Sequence, residues 1–246
     1  MTDILLFVVL PYVAVVLALV GSIYRYFANR FSYSSLSSQF LENQRLFLGS
    51  IPWHYGILAI LLAHLLAVLF PGLWASLLGA PVRLYVLEVT GMALAAAALV
   101  ALALLLVRRL GSSRLKVVTT PMDWVLLGGL LVQVGLGLGV AVFYRWGSAW
   151  YLDTAVPWLV SLAKLNPQVQ QMAVLPLLVK LHALFAFALL GILPFTRLVH
   201  MFTVPVAYLW RPFQVVIWNR RPPRPAPTAP VKSLVEPTST TPVIVD

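Results

Sequence analysis

The sequence predicts an all-α membrane protein, a bundle of five transmembrane helices with the N-terminus outside and the C-terminus in the cytoplasm. Of its residues, 61% are hydrophobic and only 10% are charged, and the mean hydropathy is +0.93. An average soluble domain is much less apolar. A transmembrane helix needs about 20 mostly apolar residues. Five stretches meet this requirement: 4–26, 49–70, 85–107, 124–143 and 173–201.

The first stretch predicts a retained helix rather than a cleaved signal peptide. Asp3 precedes it, and it has neither a basic leader nor a small-residue cleavage motif. The segment 145–172 is the longest connection on the outer side. It is rich in aromatic residues that favour a membrane interface, and we expect a short interfacial helix there. Those aromatic residues are Trp146, Trp150, Tyr151 and Trp158.

The basic residues set the expected orientation, because loops rich in Lys and Arg remain in the cytoplasm. Twelve of them lie on one side of the five spans: Arg25, Arg30, Arg45, Arg108, Arg109, Arg114, Lys116, Arg211, Arg220, Arg221, Arg224 and Lys232. The other side has Arg83, Arg145, Lys164 and Lys180. The net charge of +10 therefore reflects topology, and we expect no nucleic-acid partner.

All four histidines lie within or at the ends of two spans: His54 and His64 in the second, His182 and His200 in the fifth. Ionisable groups at membrane depth are costly and usually functional. Because the two spans run in opposite directions, depth pairs His54 with His200 near the inner surface and His64 with His182 near the outer one. Each pair can hold one iron between two imidazoles, which predicts two b-type haems. The chain has no cysteine, so these haems would be held non-covalently.

The spacing of the fifth span does not fit a straight helix. His54 and His64 would be about 15 Å apart along the axis, but His182 and His200 about 27 Å apart. Pro194 lies between the latter two and can kink or break the helix. Because 18 residues make five whole turns, a continuous helix would also direct both side chains to one face.

Motifs throughout the chain resemble the gamma subunit of respiratory nitrate reductase. They are Gly21-Ser22, Arg25-Tyr26, Ser37-Ser38-Gln39, Trp53-His54-Tyr55-Gly56-Ile57-Leu58, His64, Arg108-Arg109, Thr119-Thr120, Asp123, Leu181-His182, Arg197-Leu198-Val199-His200, Val204-Pro205-Val206 and Tyr208. The resemblance implies a five-helix dihaem cytochrome b in residues 1–221. It also implies that His54 and His200 ligate the inner haem b, and His64 and His182 the outer one.

The resemblance further implies an enzyme subunit that oxidises membrane quinol, either menaquinol or ubiquinol, and does not itself reduce nitrate. Electrons would pass inward to an iron-sulfur beta subunit and a molybdenum alpha subunit at the cytoplasmic face. The expected location is the prokaryotic cytoplasmic membrane, the inner membrane where there are two. Segment 222–246 is rich in proline and predicts a disordered cytoplasmic tail.

Four further residues are candidates for contacts with haem propionates or quinol. Lys180 precedes His182 by two residues, and Arg197 lies one turn before His200. Arg83 is the cation nearest to the start of the third span, where the family has a lysine associated with quinol. Glu88 is the only acid well inside an apolar stretch and could accept a proton from quinol. The alternative roles are interfacial anchoring for the cations and a local pair between Arg83 and Glu88.

Three other functions remain open from the residues alone. The same dihaem module could serve another reductase of the heterodisulfide or sulfite type. A haem-free transporter or proton channel could use the histidines as a relay, although no internal repeat indicates paired transporter halves. A purely structural membrane anchor would carry no redox cofactor.

Overall fold

The computed structural model describes residues 1–28 and 44–202, with side chains of the second helix described from Leu48. In this part of the chain there is no strand, and five helices are long and apolar enough to span a membrane. The predicted fold class is therefore confirmed. The proposed tail at 222–246, the motifs at 37–39 and 204–208, and the side chains of Arg30, Arg45 and all basic residues from Arg211 onward lie outside the described residues.

The helices are numbered in chain order as α1 (Thr2–Ala28, with a π-helical turn at Leu5–Val9), α2 (Gln44–Leu69), α3 (Pro71–Leu78), α4 (Pro81–Gly111), α5 (Ser113–Val117), α6 (Pro121–Phe143), α7 (Gly147–Asp153), α8 (Ala155–Ala163), α9 (Gln170–Ala173) and α10 (Leu177–Ile192). The spans are α1, α2, α4, α6 and α10. Proline begins α3, α4 and α6, where its missing N–H would have no helical partner in any case.

The spans pack side by side in an order different from that of the sequence. Helix α2 packs on α4, α4 on α6, α6 on α10, and α10 on α1. Small residues allow these close approaches: a Cβ atom on Gly49 would lie 2.7 Å from Leu105 Cγ, and one on Gly191 would lie 3.5 Å from Ala14. Within the described residues, α2 and α10 make no comparably extensive contact with each other. The two spans that carry histidines are therefore not packed on each other to the same extent as the neighbouring spans.

The two ends of the bundle differ in chemistry. The arginine end has Arg25, Arg108, Arg109 and Arg197 beside the ends of the spans, and the loop end has the connections at 70–80 and 144–176. Which end faces the cytoplasm stays a prediction.

The prediction of one short interfacial helix at 145–172 was wrong both in the number of helices and in the exposure of Trp158. The segment forms α7, α8 and α9. Trp158 of α8 is only 2% exposed and packs against Phe7 of α1, with its indole N–H donating to the Phe7 carbonyl at 3.0 Å. Because Trp158 fills a core that joins the start of α1 to the loop end, it anchors this segment to the bundle.

The fifth span is also not one helix from 173 to 201. The α-helix ends at Ile192, a first 3₁₀ segment spans Leu193–Phe195 with the predicted breaker Pro194, and a second spans Arg197–Met201. Between them, Thr196 is extended, with φ −114° and ψ 177°. His182 and His200 thus lie on separate elements. Five continuous helical turns therefore do not relate the two side chains, although each of them lies toward a histidine of α2.

Replacing Trp158 with Ala should strongly destabilise the chain. Removing a large buried aromatic side chain typically lowers the free energy of unfolding by about 3–5 kcal/mol, and here an indole hydrogen bond is lost as well. The thermal unfolding midpoint in detergent should fall. Phe143→Ala is the matched control, because Phe143 is 76% exposed at the end of α6. Equal losses in both variants would contradict the anchoring role.

Candidate histidine site

At the arginine end, the structure places His54 of α2 beside His200 of the second 3₁₀ segment, with the rings in an edge-to-face arrangement. Their ring centroids are 6.2 Å apart and the ring planes make an angle of 69°. The interruption of the fifth span at Thr196 is what separates His200 from the regular helix. The depth pairing predicted from the sequence therefore corresponds to an actual neighbour relation at this end.

Three of the four imidazoles have the same hydrogen bond to their own helix or segment. Nδ1 lies 2.7 Å from the Ser50 carbonyl in His54, 2.8 Å from the Ile60 carbonyl in His64, and 2.7 Å from the Arg197 carbonyl in His200. A carbonyl oxygen only accepts, so Nδ1 must donate, and the neutral ring then carries its lone pair on Nε2. The Nδ1 hydrogen bond to a backbone carbonyl therefore fixes the tautomer that a histidine needs to ligate a metal through Nε2.

His64 lies near the loop end of α2, against Tyr151 of α7. The two ring centroids are 5.6 Å apart. Tyr151 lies outside the spans, and burial raises its pKa to about 12, so its phenol stays protonated at physiological pH. His64 is also near enough to His182 for the two rings to interact electrostatically. The loop end thus has two neighbouring histidines, with the neutral phenol of Tyr151 beside His64.

His182 lies in a slot on the surface of α6. A Cβ atom on Gly137 would be 2.8 Å from His182 Cε1, so the ring fits only because this position lacks a side chain. His182 Nδ1 is buried without a hydrogen bond of good geometry among the described residues, but the backbone of Gln133 on α6 lies close enough to interact with the ring. The slot is therefore lined by the Gly137 position and by the Gln133 backbone.

Gln133 is a candidate that the sequence analysis missed. It lies one turn before Gly137 on α6, and its Oε1 atom is likewise buried with no hydrogen bond among the described residues. Residues four apart share a helix face, which places this amide close to the His182 slot. The available signal was an uncharged amide inside an otherwise apolar span, which is weaker than the signal from an ionisable group.

The interrupted end of the fifth span is held by α1. The Arg25 guanidinium donates to the carbonyls of Pro194 and, at 3.2 Å, of Thr196. The Thr196 hydroxyl donates to Leu193 O at 2.9 Å and accepts from Leu198 N at 3.2 Å. These contacts satisfy polar groups that the break would otherwise leave exposed to an apolar environment.

A buried carboxylate holds the second 3₁₀ segment from the other side. Asp123 of α6, with its side chain 5% exposed, lies 2.7 Å from Arg197 Nε and 3.4 Å from Arg109 Nη1. Its Oδ2 atom also accepts from Thr120 N at 2.9 Å, which completes a capping box at the start of α6. The predicted candidate Arg197 thus meets a protein carboxylate, and its Nη2 donates to Val118 O at 3.0 Å.

The candidates of the loop end bind backbone groups. Lys180 Nζ donates to Ala173 O at 2.6 Å, and Arg83 donates to Leu77 O at 2.8 Å and Ser76 O at 3.2 Å. Glu88 Oε1 accepts from Ser148 N at 2.7 Å, so the carboxylate caps α7. The expected local pair between Arg83 and Glu88 was wrong. Arg83 reaches back to the end of α3 and Glu88 reaches across to α7.

Within residues 1–28 and 44–202, no group of three or more His, Cys, Asp or Glu side chains could hold a metal ion. The histidines form pairs. A metal held by one pair would need its remaining ligands from another source, which a haem macrocycle would supply.

The chain is similar to a known family over most of its length. The family model described as nitrate reductase gamma subunit matches residues 3–219. The nitrate reductase gamma chain of Bacillus subtilis (strain 168) is 33% identical over 218 residues, which cover 87% of this chain and 96% of that protein. The respiratory nitrate reductase 1 gamma chain of Escherichia coli (strain K12) is 32% identical over 217 residues, which cover 85% and 95%.

The nitrate reductase-like protein NarX of Mycobacterium tuberculosis (strain ATCC 25618 / H37Rv) is 33% identical over 222 residues, which cover 88% of this chain. The matched region is 34% of NarX, so the chain spans about a third of that protein's length.

Proposed function

The chain belongs to the nitrate reductase gamma subunit family, and from this premise we propose that it oxidises quinol in the membrane and holds two b haems. Electrons from quinol would leave at the arginine end toward an iron-sulfur beta subunit and a molybdenum alpha subunit in the cytoplasm. The chain would then be the electron-entry subunit of a quinol:nitrate oxidoreductase and would not itself reduce nitrate.

The observation that carries the haem assignment is the spacing of His54 and His200. Two imidazoles that held one metal between them, each with a metal–nitrogen bond of about 2.0–2.1 Å, would have ring centroids roughly 6 Å apart. The measured separation is 6.2 Å. The Nδ1 hydrogen bonds to Ser50 and Arg197 carbonyls direct the other ring nitrogen away from the backbone. Residues and spacing at this end fit a bis-histidine haem.

At the loop end, other observations than a distance between two rings support a second haem. His64 has the same Nδ1 hydrogen bond as His54, and its ring is exposed in a span, which is costly unless the ring binds something. The slot at Gly137, which accepts the ring of His182 only because this position has no side chain, supports a built position for a second ligand beside α6. The sparse contact between α2 and α10 among the described residues is compatible with flat macrocycles bound between them.

Each haem, when bound, supplies reversible one-electron chemistry. The protein's own groups account for the rest of the proposed reaction. Quinol releases two electrons and two protons on oxidation, and Glu88 at the loop end is a carboxylate that can take up a proton. Lys180 and Arg83 are the positively charged candidates at the same end, where both side chains donate to backbone carbonyls. If quinol is oxidised at the loop end, its protons are released there, whereas its electrons leave the subunit at the arginine end.

Haem counting with histidine variants tests the pairing directly. The purified chain should contain two b haems by the pyridine method, and each single His→Ala variant should contain one. His54→Ala/His200→Ala should still contain one, because both ligands serve the same haem, whereas His54→Ala/His64→Ala should contain none. One retained haem in the latter variant would refute the proposed pairs, and a haem-free parent chain would refute the haem assignment altogether.

Gly137→Ala should reduce the content of the outer haem. The new methyl group would lie 2.8 Å from His182 Cε1, which forces the ring to move. Gly135→Ala is the matched control two residues away in the same helix, because a Cβ atom there meets nothing within 4 Å. Reduced-minus-oxidised spectra should show a selective loss in the first variant alone. Equal haem content in both variants would contradict a role of the Gly137 slot in haem binding.

Electron delivery can be separated from nitrate reduction in the assembled complex. His200→Ala should abolish nitrate reduction driven by a quinol analogue but leave reduction driven by a soluble dye that donates directly to the cytoplasmic subunits. The physical reason is that only the first route crosses the membrane subunit. If quinol-driven nitrate reduction stays at the parent level in this variant, the proposed path is wrong.

A further inference from the structure

We propose that Asp123 is a positioning residue for His200, and this inference rests on the haem assignment proposed above. Asp123 belongs to α6, which carries none of the four histidines. Its carboxylate nevertheless lies 2.7 Å from Arg197 Nε, and Arg197 begins the 3₁₀ segment that carries His200. The carboxylate thus connects a regular span to the irregular segment with the ligand.

The backbone of Arg197 in turn contacts the imidazole of His200. The Arg197 carbonyl accepts the Nδ1–H of His200 at 2.7 Å. One residue therefore has its side chain fixed by Asp123 while its main chain orients the ring. A shift of Arg197 would turn the His200 ring and change how Nε2 meets an iron.

Asp123 is itself held in a defined position. It caps α6 through Thr120 N at 2.9 Å, and Arg109 of α4 approaches the same oxygen, Oδ2, to 3.4 Å. Oδ1 is the atom that meets Arg197. Each carboxylate oxygen thus has a distinct partner set: one oxygen anchors Asp123 to α4 and α6, and the other extends that anchor to the ligand segment.

A contact from another helix holds the start of the same segment. Arg25 of α1 donates to the carbonyls of Pro194 and Thr196, just before the second 3₁₀ segment. Arg197 follows directly, and its side chain meets Asp123 Oδ1 and the Val118 carbonyl. The ion pair with Asp123 is the charged contact of this side chain with α6, so it is the contact that the proposed substitution removes.

The experiment compares two substitutions in the same capping box. Asp123→Asn keeps an oxygen that can accept from Thr120 N but removes the charge that pairs with Arg197. Thr120→Ala removes the capping hydroxyl, which accepts from Asp123 N at 3.3 Å, and leaves the ion pair intact. Both full-length chains are purified and measured by haem content, redox titration and electron paramagnetic resonance of the ferric haems. The outer haem in the same chain reports whether the variant is folded.

We expect Asp123→Asn to shift the midpoint potential and the resonance of one haem only, the one that His200→Ala removes, or to lose that haem. Arg197→Met should give the same selective change, and Arg197→Lys should restore part of it. Thr120→Ala should leave both haem signals unchanged. Parent-like signals in Asp123→Asn, or the same change in Thr120→Ala, would overturn the positioning role while the two-haem assignment stands. A parent chain without haem would instead overturn the proposed function and this inference with it.

Discussion

A membrane-spanning helix can be interrupted only where other groups take up the hydrogen bonds that the interruption frees. In this chain the last span breaks at Thr196, and the freed carbonyls of Pro194 and Thr196 accept from Arg25. Without that guanidinium, each unsatisfied group would cost free energy at a position largely shielded from water. The break in turn is what brings His200 within 6.2 Å of His54. The geometry of the arginine end therefore depends on one cation from the first helix.

At the arginine end, the buried carboxylate of Asp123 also determines the position of other side chains and does not only affect stability. Asp123 is buried with two guanidinium partners, and removing one partner of such a pair typically costs about 3–5 kcal/mol. Replacing a whole buried pair by apolar residues can instead be neutral. An apolar replacement would not orient Arg197, whereas the ion pair links Arg197, and through its carbonyl the ring of His200, to α6.

The sequence predicted the five spans and the family, because apolar length and motif spacing are local properties of the chain. It also predicted a break at Pro194. It did not predict that Trp158 is a core residue or that Glu88 caps α7, because these depend on contacts between residues 60 to 151 positions apart. Gln133 was missed for a related reason: its significance comes only from its place one turn from Gly137, beside the ring of His182.

The sparse contact between α2 and α10 among the described residues has a consequence for how the subunit is made. A molecule that binds between these two helices would add contacts that the chain itself does not make, so it would contribute directly to the folding equilibrium. A ligand that binds only the folded state stabilises it by RT ln(1 + [L]/Kd), which is about 2.7 kcal/mol at a hundredfold excess over Kd. If haem is that ligand, the cell's haem supply determines how much of this subunit survives quality control after synthesis.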